Sequence, residues 1–185
     1  MKALGERFPE YVPIVVLAIH TGPRRSALFR ARLGDYDPHT RLMKARQRKT
    51  KKASAIRYVQ MTPMAIEAYN TLAKGKAVGA VLCSQQEDVE SPLTQSDYWF
   101  KPCVEAAKIL DFNFHDLHHT AASRWVMNWT PLAVVAGYLG HTNIQMTMRY
   151  SLLQPGNNEG ANEAMMRVYA EENSHQDSID THEAA

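Results

Sequence analysis

At 185 residues the chain is long enough for one domain with its own core, and 45 % hydrophobic against 22 % charged residues excludes a disordered or fibrous polymer. A net charge of +2 is too small for total charge to argue for nucleic acid. The distribution says more: bases dominate from Lys2 to Arg57 and acids after Glu159, as on a polyanion-binding body with an acidic tail or on an ordinary solvated face.

The two cysteines, Cys83 and Cys103, have no CxxC spacing. That excludes a disulfide framework and fits a reducing cytoplasm. No apolar run approaches the ~20 residues of a membrane span, and MKALGERFPE lacks a secretory-signal pattern.

Along the chain, YVPIVVLAIH (Tyr11 to His20) reads as a buried helix ending at Gly22, with a strand as the alternative. After the Thr21-Gly22-Pro23 turn, Arg24 to Leu33 reads as a helix, with Leu28 and the stem of Arg32 on one face and Gly34 as its stop. Asp35 to Thr40 is a short strand or loop. Arg41 to Gln47 and Ala55 to Met61 flank the basic segment RKTKKAS, which predicts a β-hairpin with Lys51 or Lys52 near its tip. Thr62 caps a helix that has Pro63 in its first turn and Ile66, Tyr69 and Leu72 on one face. Val81-Leu82-Cys83 is a buried strand or turn.

After a loop from Gln85 to Pro92, Thr94 or Ser96 caps a helix through Lys108 with Tyr98, Val104 and Ala107 inward. Asn113 to His115 leads into a helix from His118 to Asn128. A further helix, Leu132 to Leu139, is stopped by Gly140. Thr142 or Asn143 caps a short helix carrying Met146, Met148 and Tyr150, and Glu159 to Ala170 is a last helical candidate. Residues 172–185 are polar, lack aromatics and read as a disordered acidic tail.

The chemistry concentrates in FHDLHHTAASRWVMNWTPLAVVAGYLGHTNIQMTMRY, where His115, His118, His119 and His141 precede Tyr150. His115, His118 and His119 have a spacing that places two of them on one helix face, as metal ligands require, but no glutamate accompanies them as in HExxH. The alternatives are histidines satisfied in the core and a phosphate site without metal. Upstream, Arg24 and Arg25 follow a Gly-Pro turn at a helix start, where guanidinium forks and free N–H groups suit a phosphate; plain surface arginines are the alternative. Lys51 and Lys52 are either solvated charges or proton donors to a leaving oxygen. Tyr150 is either core or a nucleophile that needs cations nearby.

Taken in order, these pieces resemble the catalytic domain of the tyrosine recombinase (phage integrase) family over roughly Tyr11 to Leu153. TGPRRSAL is similar to the family's TGxRxSEL, LGDYD to its L-x-W-x-D-I-D, and TKKASAIRYVQMT to its T-K-x-G-K-x-R-x-V-P-L-T hairpin. HDLHHTAAS is similar to H-x-L-R-H-T-x-A-S, and YLGHTNIQMTMRYS to LLGHxxxxxTxxYxH. The chain departs from the pattern at His118, where the family has its second arginine, at Ala27 for glutamate and at Leu152 for histidine.

The resemblance implies a mainly helical fold with a small antiparallel sheet (α+β) over residues 1–171, without the family's N-terminal DNA-clamping domain. It implies a cytoplasmic DNA recombinase of a phage or bacterial mobile element, working through a 3′-phosphotyrosyl intermediate with neither metal nor other cofactor. Catalysis falls on Arg24, Lys52, His115, His118, His141 and Tyr150. Counting back from Arg57 places the lysine at Lys52, while the Thr-Lys pairing favours Lys51. Double-stranded DNA would be held through Arg25, Arg41, Lys44, Arg46, Arg48, Lys49 and Lys51. The active assembly would be a homotetramer on DNA built from otherwise monomeric protomers. The departure at His118 also allows a DNA-binding remnant of an integrase that no longer cleaves.

Overall fold

The computed structural model describes residues 1–50, 53–77, 79–84, 91–156, 162–163 and 165–167. A short helix α1 (Lys2–Arg7) and a 3-10 turn (Pro9–Tyr11) lead into α2 (Val12–Thr21). Pro13 falls in the first turn of α2, where a missing N–H leaves no bond unmade, so the β-branched run is helical rather than extended. Gly22 closes α2 in the left-handed conformation, at φ 56° and ψ 35°, and donates its N–H to Ala18 O.

The next helix, α3 (Arg25–Phe29), is shorter than the expected Arg24 to Leu33. The buried Asp35 carboxylate accepts from Arg32 N–H at 2.9 Å and so stabilises a turn where another helical turn was expected. Arg32 therefore faces solvent, donating to Gly79 O at 2.8 Å, instead of packing beside Leu28.

Three antiparallel strands follow in chain order: β1 (Tyr36–Asp37), β2 (Leu42–Thr50) and β3 (Ala53–Gln60). β2 and β3 form the expected hairpin, with Met43 opposite Val59 and Ala45 opposite Arg57. Lys51 and Lys52, expected near its tip, lie outside the described residues. Strand alternation sends Met43, Ala45 and Val59 inward against Ala27, Leu28 and Ala31. Arg57 shares their phase and is buried with them, while Ile56 and Tyr58 are exposed.

In α4 (Pro63–Ala73) the Thr62 hydroxyl accepts from Ala65 N–H at 3.2 Å, the expected cap. α5 (Asp97–Ala106) buries Trp99, Phe100 and Cys103, not Tyr98 and Ala107 as expected. Trp99 takes the inward place because it stacks on Tyr11 at 4.5 Å between ring centroids; that leaves Tyr98 56 % exposed, its hydroxyl on that of Tyr11. Val104 packs at the edge of the same core.

α6 (Asp116–Met127) starts two residues earlier than expected. The Asp116 carboxylate accepts from Asn113 N–H at 2.7 Å, and Asn113 Oδ1 accepts from His115 N–H at 2.9 Å, which nucleates the first turn. α7 (Leu132–Leu139) ends at Gly140 with φ 66°, and α8 (Gln145–Met148) precedes a 3-10 turn at Ser151–Leu153. Of the last helical candidate, 162–163 and 165–167 are helical; the tail at 172–185 lies outside the described residues.

The main core joins α2, α4, α5 and the start of α6. A smaller cluster of Ala122, Val126, Val135 and Leu139 closes over the ring of Tyr150. The whole is mainly helical with a small antiparallel sheet, as expected.

Candidate active site

The Gly22 carbonyl is the hub of the site. His118 Nδ1 lies 2.8 Å from it and Arg57 Nη2 lies 3.2 Å from it, so α6 and β3 both attach to the turn that ends α2. The next residue but one, Arg24, leaves helical backbone at φ −66° and ψ 146° and joins the wall of a pocket of about 570 Å³. The rest of that wall is His115, His118, His119, His141, Gln145, Met146, Arg149 and Tyr150.

The histidines meet as rings. His115 stacks on His118 at 5.2 Å and 19°, and His118 stands edge-on to His141 at 5.9 Å. His118 is 3 % exposed, and burial pushes its pKa down to about 3 with His115, Arg57 and Arg24 adding to the effect against the Gly22 bond. A neutral imidazole whose Nδ1–H is donated to Gly22 O keeps only a lone pair at Nε2. In that state His118 cannot supply the positive charge of an arginine. Burial also lowers His141, with Arg24 and Arg57 contributing. His141 Nδ1 pairs with the hydroxyl of the fully buried Thr147 at 2.8 Å, which fixes the ring.

Tyr150 is 5 % exposed and its pKa is raised by burial, with Arg149 opposing. The Arg149 guanidinium lies 5.8 Å from the centre of the phenol ring. The phenolic oxygen lies 2.5 Å from His119 Nδ1.

Of the residues singled out in the sequence, Arg24, His115, His118, His141 and Tyr150 line this one pocket. Lys52 and Lys51 lie outside the described residues, and Arg48 and Lys49 belong to β2. Arg25 is off the pocket wall, 3.9 Å from Asp97. Arg46 is paired with the buried Asp35 at 2.5 Å, Lys44 shares its strand face, and Arg41 sits beside α4 with left-handed backbone at φ 57°.

Two residues of the site carry no functional mark in the sequence motifs. His119 belongs in the sequence only to a histidine cluster, and nothing in the motif spacing marks it as the partner of Tyr150. Arg57 stands in the sequence only as a fixed point of the hairpin motif, yet it is 7 % exposed, and its Nε and Nη1 have no hydrogen-bond partner among the described residues. Burial, with Arg24 adding, lowers its pKa to about 10. Its signal was present: Arg57 is in phase with Val59, and a charge on the inward face of a strand is rare without a purpose.

Residues 10–156 match the model of the phage integrase family. A stretch of 47 residues is 47 % identical to the integrase of Escherichia phage 186 and 45 % identical to that of Haemophilus phage HP1 (strain HP1c1). That stretch is 25 % of this chain and only 14 % of either relative. In three dimensions 88 % of the chain superposes on 86 % of the catalytic domain of bacteriophage HP1 integrase, with a TM-score of 0.63 and 24 % identity. The Tn1549 transposon integrase, solved with a circular intermediate DNA, has a TM-score of 0.68 at 20 % identity over 87 % of this chain and 59 % of that one. XerA recombinase has a TM-score of 0.64 at 20 % identity, over 90 % of this chain and 59 % of that one.

Proposed function

Because this chain belongs to the phage integrase family, we propose that it cuts and rejoins DNA strands through a 3′-phosphotyrosyl intermediate. The observation that supports this reading most is the shared pocket: Arg24 from the start of the chain and His141 and Tyr150 from its end converge on one concave wall. Fixed cations around a phosphoryl group act where charge builds in the transition state, and they need no reorganisation when the bond breaks.

Tyr150 attacks the scissile phosphate. Arg24 holds phosphoryl oxygens through its planar fork, and His141, fixed by Thr147, donates a hydrogen bond to a phosphoryl oxygen. His115, stacked on His118, orients the group. Lys52 protonates the departing 5′ oxygen. His118 acts as a neutral ring that ties α6 to the Gly22 turn. The 5′-hydroxyl of a partner strand then reverses the step, so bond energy stays in the phosphotyrosine and no cofactor is consumed.

Double-stranded DNA is gripped mainly through its phosphates by Arg25, Arg41, Lys44, Arg46, Arg48, Lys49 and Lys51, so affinity falls steeply with salt. Strand exchange takes place in a homotetramer on DNA. A second reading, a remnant that binds DNA without cleaving it, is favoured by one observation: the ring that stands in place of the family's second arginine is buried and neutral. Losing one charged donor of this kind lowers rates by about 10²–10³.

Covalent capture separates the two readings. The chain is incubated with nicked duplexes of random sequence, whose short leaving strand diffuses away, and adducts are resolved on a denaturing gel. Cleavage predicts an adduct that maps to the Tyr150 peptide and is absent in Tyr150→Phe. DNA binding with no adduct at any pH between 5 and 9 would discard the enzyme and keep the remnant.

A further inference from the structure

His119 is the side chain whose ring nitrogen meets the nucleophile. Its Nδ1 lies 2.5 Å from Tyr150 Oη. The pairing is built by the helix period: Ala122 and Val126 follow His119 on one face of α6, and the Tyr150 ring packs in their cluster. Burying the ring against Ala122 and Val126 therefore delivers the hydroxyl to His119.

Two of the pocket's other histidines hold Nδ1 on other partners, and the third, His115, stacks its ring on that of His118. His118 Nδ1 meets Gly22 O and His141 Nδ1 meets Thr147 Oγ1. Arg149 lies over the phenol ring but has no lone pair to offer a proton. Burial, then His115 and Arg149, lower the pKa of His119, while Asp116 opposes; burial raises that of Tyr150. Both groups are thus neutral near pH 7, and with its proton on Nε2 His119 accepts at Nδ1 from the phenol.

We infer that His119 is a further catalytic residue, the proton acceptor for Tyr150. As Tyr150 Oη bonds to phosphorus and the bond from phosphorus to the 5′ oxygen breaks, the phenolic proton passes to His119 Nδ1. The 5′ oxygen takes its own proton from the leaving-group side. In the reverse step the 5′-hydroxyl attacks, the phosphorus–Oη bond breaks, and the proton returns from Nδ1 to the phenolic oxygen. Between the two steps the imidazolium stands beside the phosphotyrosine and stabilises its negative charge. This rests on the cleavage reading above.

The test is single-turnover adduct formation by the full chain on two nicked duplexes. One has an ordinary linkage. The other has a 5′-bridging phosphorothiolate, whose sulfur leaves without protonation. His119→Gln keeps a hydrogen-bond acceptor but cannot hold the proton. The expected result is a loss of about 10²-fold or more on both linkages with DNA binding unchanged. Free imidazole should restore part of the rate to His119→Gly, a second variant that guards against a misfolded glutamine substitution. A wild-type adduct matched within about threefold by His119→Gln overturns this inference alone. So does a sulfur linkage that returns the variant to wild-type rate, because that would place His119 on the leaving-group side. No adduct from the wild type removes the cleavage reading, and this inference with it.

Discussion

Replacing Gly22 by alanine strikes the junction that joins α2, α6 and β3. At φ 56° an alanine is in left-handed backbone, which costs about 1–2 kcal/mol. The added Cβ would also meet Trp125 Cη2 at 2.8 Å, Trp125 Cζ3 at 3.0 Å and Ala121 Cβ at 3.1 Å. Trp125 packs on Tyr138 at 5.2 Å between ring centroids, so it cannot tilt away freely. Overpacking of this kind costs about 1–3 kcal/mol. The sum is about 2–5 kcal/mol, equivalent to a melting temperature lower by about 2–4 °C for each kcal/mol at this chain length. Gly75 is the control: its φ is 77°, but a Cβ there meets nothing within 4 Å, so Gly75→Ala should lose only the backbone part. Urea titration followed by tryptophan fluorescence measures both. If Gly22→Ala is destabilised no more than Gly75→Ala, the packed junction described above is wrong.

Three other outcomes are expected. His118 has a folded pKa of about 3 against an ordinary value of 6.5, so the unfolded chain takes up a proton that the folded chain refuses; its contribution is complete above about pH 6.5 and is lost as pH falls towards 3. Stability measured from pH 7 to 4 should fall by about 1.4 kcal/mol per pH unit in the lower part of that window from this group, and His118→Gln should flatten the curve; an unchanged slope contradicts the buried neutral ring. Arg57→Met should leave stability within about 1 kcal/mol of wild type or raise it, because a buried guanidinium whose Nε and Nη1 have no partner among the described residues is exchanged for apolar volume; a loss above about 2 kcal/mol in urea would show that its bond to Gly22 outweighs its desolvation. Asp35→Ala should lose about 1–3 kcal/mol, since the buried carboxylate accepts from Arg32 N–H at 2.9 Å and Arg46 Nη1 at 2.6 Å; an unchanged melting temperature would refute that assignment.

Local chemistry was legible where one short stretch suffices to settle it. Gly22 and Gly140 end helices because left-handed backbone is needed there, and the Thr62-Pro63 pair starts one because hydroxyl and ring each suit the first turn. The hairpin followed from two extended runs around a basic loop. In α5 Trp99 lies inward where Tyr98 is expected, because helical periodicity tolerates either phase and partners distant in sequence, Tyr11 stacked on Trp99 from 88 residues away and Phe114 edge-on to it, select between them.

The same division holds at the candidate site. Motif order alone identified the family and picked out Arg24, His115, His118, His141 and Tyr150, because residue type and spacing are properties of the chain itself. Which of these groups is charged, and which one touches the phenol, was decided by packing. A protonation state depends on burial and neighbours, and His118, Gly22 and Arg57 become neighbours only when α6 and β3 close on the end of α2. His119 and Tyr150 likewise meet because an apolar cluster seats one ring, a long-range contact that spacing along a chain cannot encode.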